Sequence, residues 1–176
     1  GADVPISGVG ITPAIGQGAS INTIKRDIPV LVDYGGGYNG YVTDETRAFV
    51  VGEMKDIFKK AHNVAADIIA DAMEFGKEGV NGTEIFMRAL KRAQKEKLED
   101  YFMGYGEGKV GFIGHGLGLE INELPVITPR HKMLLQEGMV FAFEPKFIIP
   151  GEGAIGIEVD FIVRRHGLER VTDTSI

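Results

Sequence analysis

Apolar residues follow two different periods along the chain, and the first period is that of strands. Residues 29–34 and 41–51 are rich in β-branched and aromatic residues, which predicts two strands. Gly35, Gly36 and Gly37 are expected to end the first strand, and a hairpin is the simplest connection to the second. Residues 1–28, dense in glycine, serine and threonine, predict a loop with one short strand at residues 4–7.

The second period is helical and occupies the middle of the chain. Residues 53–75 carry apolar side chains at three- and four-residue spacing, which predicts a long amphipathic helix ending near Gly76 and Gly79. Thr83 is expected to cap the N-terminus of a second helix. The apolar face of the first helix comprises Met54, Ile57, Phe58, Ala61, Ala65, Ile68, Ile69 and Ala72.

Strand patterns return in the last third of the chain. Residues 138–149 and 154–165 predict two long strands, joined by the turn P-G-E-G at residues 150–153. The resulting hairpin is expected to bring Glu144 near Glu158.

Acidic residues interrupt three of these strand-like runs. Asp33 lies in P-V-L-V-D-Y, Glu144 in M-V-F-A-F-E-P-K-F-I-I and Glu158 in A-I-G-I-E-V-D-F-I-V. An unpaired buried carboxylate costs several kcal/mol or more, and basic residues are scarce in these runs. Two divalent cations, bound by the carboxylates together with a histidine, would offset this cost.

His115 is the candidate histidine. A single histidine is more often structural than catalytic, but Gly114, Gly116 and Gly118 surround this one. The glycines are expected to let backbone and ligand approach closely and to leave the imidazole accessible. A neutral nitrogen ligand would complete the carboxylate site.

Composition limits the classes of function. A chain of 176 residues with 44% hydrophobic composition is long enough for one compact domain, residues 1–176. The net charge of −6 argues against general binding of nucleic acid or anionic lipid. The absence of cysteine excludes disulfides and thiolate ligands. With no signal peptide and no apolar run near the roughly 20 residues of a membrane span, we expect a cytoplasmic protein with no membrane partner.

Four motifs now allow an identification: V-D-Y-G-G-G-Y-N-G-Y-V-T-D-E-T-R-A-F-V-V-G, G-H-G-L-G-L-E-I-N-E-L-P, F-E-P-K-F and I-E-V-D. In this order they resemble the creatinase/aminopeptidase superfamily, the pita-bread metallopeptidases that include methionine aminopeptidase, Xaa-Pro aminopeptidase and prolidase. The resemblance covers nearly the whole chain. It implies an α+β pita-bread fold, in which helices cover a curved antiparallel sheet.

The resemblance also implies a set of metal ligands. The five family positions match Asp33, Asp44, His115, Glu144 and Glu158. By analogy, Asp44 and Glu158 would bridge two divalent ions, Asp33 would bind one, and His115 with Glu144 the other. The ions, expected to be manganese, cobalt, zinc or iron, would share a hydroxide that attacks the scissile carbonyl. Glu144 would take the proton from the attacking water.

Some family positions are altered in this chain. Asn122 stands where prolidase-like members carry a histidine that contacts the substrate carbonyl; it can donate a hydrogen bond but cannot shuttle a proton. A second family histidine is replaced by Ile15, Gly16 or Gln17. The arginine and aspartate of the usual G-V-R-I-E-D become Gly156 and Val159. Arg47 and Arg130 are most simply surface or structural residues.

The family's catalytic domain begins with one or two helices and a strand before the residues seen here. The chain starts at Gly1, within loop-like sequence. We therefore expect a domain that is incomplete at its N-terminus. The missing segment should pack on it, some apolar sheet surface should be exposed or covered by another chain, and a homodimer is expected.

Three functions are compatible with this sequence. The first is a dinuclear metal-dependent aminopeptidase or dipeptidase of the Xaa-Pro type, acting on peptides. The second is a metalloenzyme of the same fold with a non-peptide substrate. The third is a non-catalytic peptide- or protein-binding module. Five retained ligands in apolar strands argue against the third function, because unpaired they would destabilise the fold.

Overall fold

The computed structural model of the protein describes residues 8–14 and 18–176. The short strand expected at residues 4–7, and Ile15, Gly16 and Gln17, lie outside the described residues. The described elements combine two helices with antiparallel strands, which confirms the α+β class. In chain order they are β1 (Val30–Tyr38), β2 (Tyr41–Phe49), α1 (Asp56–Phe75), α2 (Gly82–Lys95), a 3-10 turn (Gly106–Gly108), β3 (Gly114–Gly116), β4 (Glu123–Ile127), β5 (Val140–Phe143), β6 (Lys146–Ile149), β7 (Gly153–Gly156), β8 (Val159–Arg164) and β9 (Gly167–Arg170).

The first two strands form the predicted hairpin, but β1 does not end at the glycines. Gly35, Gly36 and Gly37 continue the strand and pair with residues of β2 as far as Tyr38, which pairs with Tyr41. The chain reverses instead at Asn39 and Gly40, whose φ angles are 52° and 86°. Positive φ at both central residues matches the right-handed twist of a two-residue hairpin, so the turn lies here.

Two predicted long strands are each divided in two. The first breaks at Glu144 and Pro145, because proline has no N–H to donate to a ladder. The second breaks at Ile157 and Glu158, where the N–H of Glu158 donates to Thr46 O of β2 instead of to a neighbouring sheet strand. Strands β5 and β8 therefore belong to a five-stranded sheet of order β4-β3-β5-β8-β9, whereas β6 and β7 form a separate hairpin.

Helix α1 covers the sheet with the face that its sequence predicts. Six of the eight predicted positions are buried, while Met54 and Ile57 are partly buried against the same core. The helix begins at Asp56 rather than at residue 53. Helix α2 is capped by Asn81 and not by Thr83: the Asn81 side chain accepts the Thr83 N–H at 3.0 Å, and the Thr83 hydroxyl donates to Thr128 O.

Apolar surface is exposed on the β1–β2 hairpin, in agreement with the sequence. Val32, Tyr34, Tyr38, Tyr41 and Phe49 are each more than two-fifths exposed. Within residues 8–14 and 18–176, neither helix has the length and apolarity needed to cross a bilayer.

Candidate metal centre

The hairpin β1–β2 presents two of the expected ligands on one face. Asp33 pairs with Thr46, and Asp44 pairs with Gly35. Residues two apart on a strand share a face, so Thr46 and Asp44 point to the same side as Asp33. The register therefore makes Asp33 and Asp44 diagonal neighbours.

His115 lies in the short strand β3, between β4 and β5. A Cβ at Gly114 would lie 2.5 Å from Ala142 O, and one at Gly116 would lie 2.3 Å from the Leu124 backbone. The flanking glycines thus let the neighbouring strands close around His115. His115 is 7% exposed. Its imidazole is therefore buried, contrary to the accessible side chain expected from the sequence.

Glu144 and Glu158 occupy the two strand breaks. The N–H of Glu144 donates to Ile113 O at 2.8 Å, and that of Glu158 donates to Thr46 O at 3.1 Å. Glu144 directly follows β5 and Glu158 directly precedes β8, at the same end of these two paired strands. Their side chains therefore lie close together. The hairpin β6–β7 between them confirms that this part of the chain folds back as predicted.

The carboxylates are arranged around two separate nitrogen atoms. His115 Nε2 lies 3.8 Å from Asp44 Oδ2, 3.7 Å from Glu144 Oε1 and 3.9 Å from Glu158 Oε1. Lys146 Nζ lies 3.1 Å from Asp33 Oδ2, 2.8 Å from Glu144 Oε2 and 3.2 Å from Glu158 Oε2. Each glutamate therefore directs one oxygen toward the histidine and the other toward the lysine.

Lys146 is the residue that sequence reasoning missed. Basic residues are scarce in the strand-like runs, but this one, in F-E-P-K-F, is 2% exposed and lies among three acids. Burial alone would lower the pKa of Lys146, but the charges of Glu144, Glu158 and Asp33 outweigh it and raise the pKa above its ordinary value. The available signal was a lysine two residues after Glu144, in a run that is otherwise apolar.

One lysine does not neutralise the cluster. Burial, followed by the charge of Asp33, raises the pKa of Asp44 from its ordinary 3.8 to about 6. Burial likewise raises the pKa of Glu158 from 4.5 to about 8, with Glu144 and Asp44 adding to the shift and Lys146 opposing it. A raised pKa shows that the ionised carboxylates lack enough positive charge nearby. A further cation bound at the cluster would stabilise their ionised form.

Three further residues support the ligands, and none of them was expected to. Thr46 Oγ1 donates to Glu158 Oε2 at 2.6 Å. Asp160 Oδ2 accepts the Asp44 N–H at 3.2 Å, while Asp160 Oδ1 is buried with no hydrogen-bond partner among the described residues. Arg47 is buried and donates to the carbonyls of Thr46, Glu158, Thr174 and Ser175.

The histidine side of the cluster fits a divalent cation. Ligand atoms of Asp44, His115 and Glu158 all lie within 4.8 Å of one another, and Glu144 Oε1 faces the same imidazole. Carboxylate oxygens with one imidazole suit manganese, iron, cobalt or zinc. These four residues therefore fit a metal. Asp33 is not one of them, because its carboxylate pairs with Lys146.

Three of the altered family positions lie within the described residues. Asn122 is exposed and directly precedes β4. Gly156 ends β7, where it pairs with Lys146 of β6. Val159 begins β8 and is fully buried.

Comparison with known proteins places these features in a family. Residues 3–165 match the model of metallopeptidase family M24. The chain is 34% identical over 157 residues to the Xaa-Pro dipeptidase of Pyrococcus furiosus, with 89% of this chain and 43% of that protein covered.

Solved structures show the same fold. The X-Pro aminopeptidase of Thermotoga maritima superposes with a TM-score of 0.82 at 28% identity, covering 91% of this chain and 43% of that one. The prolidase of Pyrococcus furiosus gives a TM-score of 0.82 at 32% identity, covering 90% of this chain and 45% of that one. The chain thus spans less than half the length of these relatives.

Proposed function

The chain belongs to metallopeptidase family M24, and on this premise we propose that it is a divalent-metal-dependent peptidase of the Xaa-Pro type. The observation that carries the proposal is the cluster around His115, where oxygens of Asp44, Glu144 and Glu158 each lie within 3.9 Å of Nε2. Relatives named Xaa-Pro dipeptidase support the substrate class. Peptides that carry proline next to their N-terminal residue are therefore the proposed substrates.

Asp44, His115, Glu144 and Glu158 would bind the metal. When bound, a divalent ion polarises the scissile carbonyl and lowers the pKa of water. Two residues of the chain position the ligands. Thr46 orients Glu158 through its hydroxyl, and Asp160 orients Asp44 by accepting its backbone N–H. In this proposal Glu144 accepts the proton of the attacking water as general base.

Asn122 is proposed to bind the substrate carbonyl. It is exposed and adjoins β4, the strand paired with that of His115. Its amide can donate a hydrogen bond to the carbonyl oxygen but cannot transfer a proton. We expect Asn122→Ala to reduce kcat/KM about 10- to 100-fold, the cost of one lost hydrogen bond to developing charge.

The residues of the cluster bear on the number and identity of the ions. The five retained side chains, Asp33 among them, favour the two ions expected from the sequence. Lys146 speaks against two, because it already supplies a positive charge to Asp33, Glu144 and Glu158. Oxygen ligands with one imidazole allow manganese, cobalt, iron or zinc.

Peptide hydrolysis by the metal-loaded protein tests this function. The protein, purified without a histidine tag, is offered manganese, cobalt, iron and zinc in turn and assayed on Xaa-Pro and Xaa-Ala dipeptides and on longer peptides. We expect cleavage of the proline peptides, and its loss together with bound metal in His115→Ala. Metal binding without cleavage of any peptide would favour a non-peptide substrate, and the absence of both would remove the enzymatic function.

A specific observation favours a second candidate, a non-catalytic binding module. Unpaired acids in apolar strands would destabilise such a module, but Lys146 already pairs with three of them. The acids could thus persist with fewer ions than the sequence alone suggests. A chain that binds no metal and still binds peptides would support this candidate.

A further inference from the structure

Lys146 occupies a cation position within the cluster. Three carboxylate oxygens, from Asp33 on β1 and from Glu144 and Glu158 at the two strand breaks, surround its Nζ at 2.8 to 3.2 Å. Oxygens from three separate parts of the chain that converge on one positive atom form the shell that a metal would otherwise receive. We propose that the ammonium of Lys146 takes the place of one ion, so that the chain binds a single divalent ion on the His115 side.

This inference rests on the metal-dependent function proposed above and adds a stoichiometry to it. An ion that contacts Asp33 and Glu158 would need their oxygens at about 2.0–2.2 Å. The volume between Asp33 Oδ2 and Glu158 Oε2 already contains Nζ, at 3.1 and 3.2 Å from them. A metal could enter there only if the lysine side chain left.

Backbone packing keeps the lysine in this position. Lys146 of β6 pairs with Gly156 of β7 across the hairpin. A Cβ at residue 156 would lie 2.5 Å from Lys146 Cγ and 3.0 Å from its Cβ. Only glycine at residue 156 leaves room for the lysine stem, which is 3% exposed. Packing around the stem therefore confines the Lys146 side chain, which is buried and is not a flexible surface arm.

The other oxygens of the shared acids remain directed toward the histidine. Glu144 Oε1 and Glu158 Oε1 lie 3.7 and 3.9 Å from His115 Nε2, while their Oε2 atoms contact Lys146. Together with Asp44 Oδ2 they provide one nitrogen and three carboxylate ligands. This donor set suffices for one ion with positions left for water or substrate.

Metal stoichiometry tests the inference directly. The purified protein is stripped with chelator and dialysed against manganese(II); ions per chain are counted by mass spectrometry, and electron paramagnetic resonance distinguishes an isolated ion from a coupled pair. We expect one isolated ion in the unaltered protein and two ions in Lys146→Gly and Lys146→Ala. Two ions in the unaltered protein would overturn the inference and leave the proposed function standing, whereas no ion would overturn the function itself.

Matched variants cover the case in which the Lys146 variants fail to fold. Asp33 is exposed at the edge of the cluster, with 43% of its side chain accessible. We expect Asp33→Asn to retain one ion, because the ion pair of Asp33 is with Lys146, whereas His115→Ala loses it. Loss of the ion in Asp33→Asn, or an unchanged count of one in a folded Lys146 variant, would overturn the inference. Lys55→Met removes an exposed lysine that pairs with Glu152, and should leave the count at one.

Discussion

Asp44 and Glu158 make the stability of the metal-free protein depend on pH. Their folded pKa values are raised by burial to about 6 and about 8, from 3.8 and 4.5. The folded chain therefore binds more protons than the unfolded chain in this range, so its stability falls as pH rises through the window. Between pH 5 and pH 8 the two shifts together correspond to a loss of about 5 kcal/mol in chelator, roughly 10 to 20 °C in Tm.

Saturating manganese should abolish most of this loss, because a bound cation stabilises the ionised carboxylates. Thermal unfolding at both pH values, with chelator and with manganese, measures the effect. Asp44→Asn serves as the control and should show a smaller slope in chelator, since its amide does not titrate. A metal-free protein that becomes more stable between pH 5 and pH 8 would contradict the assigned cause.

Single residues also show what the sequence could and could not predict at the site. Asp33, Glu144 and Glu158 stand out because charge in an apolar run is visible without any structure. The burial of Lys146 is not visible in this way, because it depends on Gly156 of another strand leaving room for the lysine stem. The structure brings the five expected ligands together, and their binding of metal stays a prediction.

At the level of elements, the β1–β2 hairpin determines where Asp33 and Asp44 meet. Its turn needs positive φ at Asn39 and Gly40, and a Cβ at residue 40 would have nothing within 4 Å. Gly40→Ala therefore adds conformational strain without a steric clash, at about 1 kcal/mol. We expect this loss in denaturant unfolding, with weaker manganese binding because the register of the two aspartates loosens.

Gly108→Ala is a suitable control for the turn. Gly108 also has open space around its Cβ position, but its φ is not positive. Its replacement should change the free energy of unfolding by less than about 0.5 kcal/mol. Equal losses in the two variants would show that the backbone conformation at Gly40 is not the cause.

The strand breaks show why element boundaries were the weaker part of the sequence prediction. Periodicity identified the strand-like residues on both sides of Glu144 and of Glu158, but it continues across the breaks. Pro145 was a visible signal for the first break. The second depends on Glu158 pairing with Thr46 of β2, a contact of residues far apart in sequence that no local pattern contains.

At the scale of the whole molecule, Arg47 connects three parts of the chain. From β2 it donates to the carbonyl of Glu158 and to those of Thr174 and Ser175 near the C-terminus, and it pairs with Glu45. Because these acceptors satisfy the guanidinium in a buried place, the contacts support a structural role for Arg47.

Arg47 contributes a planar guanidinium whose several N–H groups donate in fixed directions. A lysine at this position cannot make the same set of hydrogen bonds. Arg47→Lys keeps the charge but leaves several of these carbonyls without a donor, and we expect a loss of about 2 to 4 kcal/mol in denaturant unfolding. Manganese affinity should also fall, because the backbone of Glu158 is no longer fixed. Arg164→Lys is the control: Arg164 is about half exposed and pairs with Glu169 through one nitrogen, so its replacement should cost less than about 1 kcal/mol. If both variants lost equally little, the connection through Arg47 would be unimportant, and the position of Glu158 would depend on Thr46 and Lys146 alone.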